Sequence, residues 1–461
     1  MKKYLKYIIV LAVFLAAGCA VYTAPATGQS ENYAGADKIS FLRQLITADA
    51  STSRTIMWQA DEKLENPAAE YKNAAGQITA VPASVQELNT GSGTLYVYTA
   101  ALTGLEPGSA YEYRAGYEGS RTGWHKLPSA QPDSFKALIF PDSQSSDYSG
   151  WQKLTQTAYA KNEDAAFFVN MGDLVDNGYD FSQWRAWFNS VAPMIENIPF
   201  APVMGNHETY NMDWQIAPPT PYLTLFNLPE NGTDANKNQY YSFDYGDVHF
   251  VVLNTQTDEM ADFNPDLMQQ QLSWLRSDLA GTQSKWKIVL MHKDILRYAF
   301  TDRPNNFDPA SIQFTPWAQQ LMPVFEEYNV DAVLTAHLHT YRRRVPLKAF
   351  KPDNTGITYI LTGVAGSVRY ANLWQRNTAD AALAPQPEDA NYITLSKTPQ
   401  TLTFKAFLPD GTEFDTVTIT KEGEEFMKVL LQGAAILAVI YTIINISGRV
   451  AVCSAYKILS A

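Results

Sequence analysis

The sequence predicts an α/β domain preceded by a smaller all-β domain. Three observations carry this. The 461 residues are 46% apolar and 13% aromatic, which suits two or three folded domains with a large core. Between about residues 38 and 134, short β-type runs alternate with turns. From Phe135 the pattern changes to short apolar runs separated by helical stretches, which implies a mixed or parallel sheet covered by helices.

The amino terminus reads as a targeting segment. Lys2 and Lys3 precede an apolar run from Tyr7 to Ala17, which ends in Gly18-Cys19. Residues 1–19 resemble a bacterial lipoprotein signal peptide, in which Cys19 is lipidated and becomes the mature first residue. The alternative is an ordinary signal peptide cut after small residues. Cys453 is the only other cysteine, so no disulfide framework is expected. Residues 20–37 read as a flexible tether. The expected location is therefore extracytoplasmic, lipid-anchored to a bacterial membrane on its periplasmic or outer surface.

In residues 38–134, Thr55–Gln59 and Thr94–Tyr98 read as strands. The Pro107-Gly108 turn followed by Tyr111 and Tyr113 resembles the tyrosine corner of a fibronectin type III-like sandwich. A carbohydrate-binding module is the alternative, and clustered exposed aromatics are not evident. His125 reads as a surface or packing residue.

In residues 135–422, strands are expected at Ala137–Phe140, Ala165–Val169, Phe200–Val203, Val248–Leu253, Trp286–Leu290 and Asp331–Thr335. Gln183–Asn189 and Leu267–Leu279 have helical composition. Tyr392–Ser396, Leu402–Phe407 and Phe414–Ile419 read as closing strands. Residues 423–461 hold an apolar run, Val429 to Ile446, read either as a transmembrane anchor or as a tail outside the native fold.

The net charge of −12, without a long basic run, argues against a nucleic-acid partner. An acidic chain still binds phosphate esters when bound cations supply the positive charge. Ligand-type residues stand where such cations would need them. The apolar runs are followed by Asp142, by Gly172-Asp173, by Gly205-Asn206-His207-Glu208, by His292 and by His337-Leu338-His339. Four of the chain's six histidines lie in this set. Alternation along a strand would send His337 and His339 to opposite faces, so both serve one site only if the chain turns there. Carboxylate, imidazole and amide oxygen suit a hard or borderline ion. Each element alone has a plainer reading as a turn, a cap or a packed histidine; their joint order is harder to obtain by accident.

That order is similar to the calcineurin-like metallophosphoesterases. Gly205-Asn206-His207-Glu208, Val289-Leu290-Met291-His292 and His337-Leu338-His339-Thr340-Tyr341-Arg342-Arg343 resemble the purple acid phosphatase branch, which carries a fibronectin-like domain before the catalytic one. The resemblance implies a four-layer αββα sandwich and a site for two metal ions of iron, zinc or manganese type. It gives Asp173 to both ions, Asp142 and His339 to the first, and Asn206, His292 and His337 to the second. It implies that a metal-activated hydroxide attacks a phosphate ester, with His207 as general acid. Tyr341 and Arg343 would stand behind the centre as supporting residues.

Two positions depart from the family pattern. Asp176 stands where purple acid phosphatases place a tyrosine, so no ferric-tyrosinate colour is expected, and Asp176 would bind the metal, support it from behind or hold the loop. Gln144 stands where other members place a histidine, so the first ion is expected to be weaker or completed by Gln144 or water. Arg297, Tyr298 and Arg303 in the loop after His292 are candidate substrate contacts. Two alternatives are weighed: a phosphodiesterase or nucleotidase of the same fold, and a non-catalytic binding lipoprotein with a degraded metal site.

Overall fold

The structure, a computed structural model, describes residues 38–421 apart from 131–132, 303, 305–307, 309–310 and 371–372. The signal peptide, the tether, Arg303, both cysteines and residues 423–461 lie outside the described residues. Among the described residues, no helix is long and apolar enough to cross a membrane.

Two large sheets face each other, with helices outside both. The seven-stranded sheet runs Tyr241–Tyr245, Val248–Leu253, Trp286–Met291, Ala332–Thr335, Thr358–Gly363, Thr340–Arg344, Asp380–Leu383. Its alternation explains the layering. Phe250, Ile288, Leu290 and Leu334 point into the core shared with the other sheet. Their neighbours Val251, Val289, Met291 and Val333 point the opposite way, towards Leu275 and Leu279 of Leu267–Gly281 and Leu321 and Phe325 of Pro316–Glu327. On the far side of the other sheet lie Ser149–Lys161 and Phe181–Ile195, whose Trp151, Trp184 and Trp187 are buried. This is the expected four-layer αββα arrangement.

The second large sheet has ten strands. Its carboxyl-terminal part contains the closing strands Tyr392–Lys397, Thr401–Phe407 and Glu413–Thr420, followed by Phe135–Phe140, Phe167–Asn170 and Phe200–Pro202. It then continues without a break into Ser40–Leu45, Ser53–Ala60, Thr94–Thr103 and Ser84–Asn89 of the amino-terminal part. The seam is a parallel pairing of Leu45 with Phe200, and the Ile46 N–H donates to the Phe200 carbonyl at 3.0 Å. Buried side chains reinforce it. Gln44 Nε2 and Tyr113 Oη both donate to the Glu196 carbonyl, at 2.9 and 2.8 Å, and Arg43 Nη2 donates to the Leu225 carbonyl at 2.9 Å.

A five-stranded sheet built on Ala68–Lys72 and Ala110–Tyr117 closes the amino-terminal sandwich. Ile56, Trp58, Tyr98, Tyr113 and Leu127 fill its core. Tyr111 Oη accepts the Glu106 N–H at 3.0 Å, the back-bond of a tyrosine corner.

Candidate metal centre

Every expected ligand sits just past the carboxyl end of a strand. Asp142 follows Phe135–Phe140, Asp173 follows Phe167–Asn170, Asn206 follows Phe200–Pro202, His292 follows Trp286–Met291, and His337 and His339 follow Ala332–Thr335. The first three strands are parallel neighbours in one sheet and the last two in the other, so both sheets deliver side chains to one rim.

The backbone bends where the ligands leave. Asp173, His337 and His339 all have left-handed φ, at 49°, 74° and 49°. Such angles are uncommon for side-chain-bearing residues and mark imposed geometry. They are the turn that brings both histidines to one centre. Gly205 packs so closely that a Cβ there would lie 2.1 Å from Asp173 Oδ1.

The side chains form two groups that share Asp173. Asp173, His292 and His337 bring ligand atoms together, as do Asp142, Asp173 and His339. His292 Nε2 lies 3.1 Å from Asp173 Oδ2 and 3.2 Å from Asn206 Oδ1. His339 Nε2 lies 3.2 Å from Asp142 Oδ2. Gln144 Nε2 lies 3.5 Å from the same His339 nitrogen, which brings the amide into the Asp142 group.

The environment suits cations. His337 Nδ1 and Gln144 Oε1 are buried without a hydrogen-bond partner, and a buried polar atom left this way needs a partner. His292 Nδ1 meets the Met171 carbonyl at 2.9 Å and His339 Nδ1 the Val368 carbonyl at 3.0 Å. Those contacts assign the ring protons to Nδ1 and leave each Nε2 as the ligand atom. Burial would raise the Asp173 carboxyl, but His292, His207 and His337 hold it far below the usual carboxylate range. Burial and the neighbouring His292 push His337 down to about 3. His292 is itself lifted to about 9 because Asp173 and Asp142 outweigh its burial. The donor set of carboxylates, imidazoles and amide oxygens fits a pair of hard or borderline ions.

His207 stands beside this centre. Its backbone N–H donates to Asp173 Oδ1 at 2.9 Å, and its ring Nδ1 lies 2.6 Å from the Asp176 carbonyl. The Asp176 carboxylate is 3.6 Å from the same nitrogen, so Asp176 neighbours His207. It is absent from both ligand groups.

Tyr341 and Arg343, expected as supporting or structural residues behind the centre, make structural contacts between the two sheets. Tyr341 Oη and Arg343 Nε each donate to Asp415 Oδ2 at 2.7 Å, which ties Thr340–Arg344 to Glu413–Thr420 of the other sheet. Alternation along the strand puts both side chains on that inner face. Tyr298 is buried, donates to Asp380 Oδ1 at 2.6 Å and lines a cavity beside His337. Arg297 lines the same cavity, of about 280 Å³, together with Phe300 and Trp317.

Glu208 has a function that its place in the motif did not reveal. Its fully buried carboxylate accepts the N–H groups of Gly205, Asp173 and Leu174 at 2.7, 3.0 and 2.8 Å. One acid therefore holds the loops of Asp173 and Asn206 together. An acidic residue after Gly-Asn-His was the available signal; its partners are backbone groups that sequence does not show.

Comparison with known proteins agrees with this geometry. The calcineurin-like phosphoesterase family matches residues 131–341, and the purple acid phosphatase N-terminal domain matches residues 41–135. The chain is 26% identical over 325 residues to purple acid phosphatase 18 of Arabidopsis thaliana, spanning 68% of each protein. It is 25% identical over 392 residues to a probable inactive purple acid phosphatase 9 of the same plant, spanning 71% of this chain and 57% of that one. The solved structure of purple acid phosphatase PPD1 from yellow lupin (Lupinus luteus) seeds shares the fold, with a TM-score of 0.69 at 19% identity, covering 85% of this chain and 76% of that one.

Proposed function

We propose that this chain, which joins a purple acid phosphatase N-terminal domain to a calcineurin-like phosphoesterase domain, hydrolyses small phosphate esters outside the cytoplasm. The observation that carries the reading is the pair of ligand groups sharing Asp173. Asp142, Gln144 and His339 would hold one ion, Asn206, His292 and His337 the other, and Asp173 both. When bound, two ions of iron, zinc or manganese type supply an activated water and positive charge for the phosphoryl oxygens.

The chain's own groups do the rest. The carbonyls of Met171 and Val368 keep Nε2 of His292 and His339 facing inward. The Asp176 carbonyl engages Nδ1 of His207 and leaves Nε2 for proton transfer. Protonated there, His207 gives its proton to the departing alkoxide. The negative charge of Asp173, together with the Asp176 contact, raises the His207 pKa despite burial, which favours the acid form. Lipidation at Cys19 would tether the enzyme to a bacterial membrane, with a small phosphate ester as its substrate.

A second reading, a binding lipoprotein without catalysis, has one observation in its favour: a relative whose name calls it probably inactive. Metal analysis with hydrolysis of aryl phosphate monoester and diester separates the readings and the substrate types. Asp173→Asn is expected to lose bound metal and at least about a hundredfold in turnover, and His207→Ala about a hundredfold with metal retained. If the wild type and both variants share one residual rate, the catalytic reading is wrong.

A further inference from the structure

The segment after Glu208 carries an apolar surface that the chemistry above does not use. Met212, Trp214 and Ile216 are exposed at 62%, 56% and 37%, all on one short hairpin closed by the Tyr210–Ile216 bridge. Large apolar groups gathered at the surface commonly mark a binding site. This one adjoins His207. The His207 ring meets Tyr210 edge-on at 5.3 Å and Trp214 edge-on at 6.3 Å, and the two aromatic rings are 6.0 Å apart.

The hairpin is firmly held. Asn211 Oδ1 accepts the N–H groups of Asp213 and Gln215 at 3.0 and 2.9 Å, and the Trp214 N–H donates to the Asn211 carbonyl at 2.9 Å. Asn177 Nδ2 donates to the same carbonyl at 2.6 Å and ties the hairpin to the loop that bears Asp173. Trp214 itself has φ 57°, an unfavourable backbone for a bulky residue. A strained, exposed indole fixed beside a proton donor is presented outward at a cost to the fold, and such strain collects at ligand-contacting positions.

We propose that Trp214 is a specificity-determining wall for the alcohol part of the ester, selecting leaving groups that carry a flat ring. The inference rests on the phosphoesterase reading, because the group that leaves must lie next to His207. A planar ring stacks on the indole face and gains there, whereas a small polyol has no face to offer. Adenosine 5′-monophosphate and glycerol 1-phosphate both release a primary alkoxide, so they differ in the ring while the chemistry at phosphorus is matched.

The test compares kcat/KM for these two esters in the metal-loaded full chain. Trp214→Ala is expected to lower the nucleotide-to-glycerol ratio about tenfold, chiefly through KM, and Trp214→Phe to restore it to within about threefold. Ile78→Ser, at an equally exposed apolar position on Ile78–Pro82, is expected to keep the wild-type ratio. A ratio unchanged in Trp214→Ala, or an equal loss for both esters, would overturn the proposal. Calorimetric affinities for the same two compounds are measured alongside. If hydrolysis is absent altogether, the phosphoesterase reading fails, and the affinity ratio still decides for or against stacking on Trp214.

Discussion

Glu208 shows what a single side chain contributes without touching a ligand. It holds three backbone N–H groups, and glutamine can present only one oxygen to them. Glu208→Gln is therefore expected to weaken metal binding about 10–100-fold with the fold intact, read by metal content after dialysis and by far-ultraviolet circular dichroism. The ligands themselves were legible because their type and order stand at the ends of apolar runs. The turn at His337 and His339 was legible too, since alternation forbids their sharing a site without one. What was not legible depends on main-chain partners: the Glu208 clamp, and the carbonyls of Met171 and Val368 that set the imidazole protons.

At the level of elements, two clamps join separate strands and helices. His249 on Val248–Leu253 lies between Asp244 of Tyr241–Tyr245, at 2.8 Å, and Asp278 of Leu267–Gly281, at 2.9 Å. Burial opposes its protonation, but the two aspartates raise it to about 9. The folded value exceeds the unfolded one of about 6.5, so the clamp is fully present below about pH 6.5 and lost as pH rises through about 9. Its contribution is of the order of 3 kcal/mol. Urea unfolding of wild type and His249→Phe should show a stability difference at pH 6 that shrinks by pH 10; a constant difference would exclude the clamp. The second clamp is Asp415. Asp415→Ala leaves Tyr341 and Arg343 unpaired and should cost roughly 1–3 kcal/mol in the same measurement, with metal content unchanged. Thr340–Arg344 was not among the strands expected from the sequence, because it lacks an apolar pattern. As a strand, it meets Asp415 with Tyr341 and Arg343 on one face, while on the other Arg344 forms a fully buried ion pair with Asp294. Charged pairs replace the hydrophobic alternation that marks most buried strands.

For the molecule as a whole, a helix-covered sheet behind a β-rich amino-terminal part follows from patterns a reader of the sequence can see, and the four layers follow from the family resemblance. The joining of the two parts does not. The pairing of Leu45 with Phe200 links segments far apart in the chain, and neither segment's composition names its partner. The seam couples the amino-terminal strands to the rest of the sheet. Calorimetry of the folded chain should give one cooperative transition; two resolved transitions would contradict a shared sheet. The seam also bears on motion. A hinge requires a linker able to absorb dihedral change, and here Arg43, Gln44 and Tyr113 lock a continuous sheet across the boundary. Opening and closing around a substrate cannot be a swing of one domain against the other. Under the proposed phosphoesterase activity, turnover should then be sensitive to substitutions in the loops at the rim and indifferent to the amino-terminal strands beyond their effect on stability.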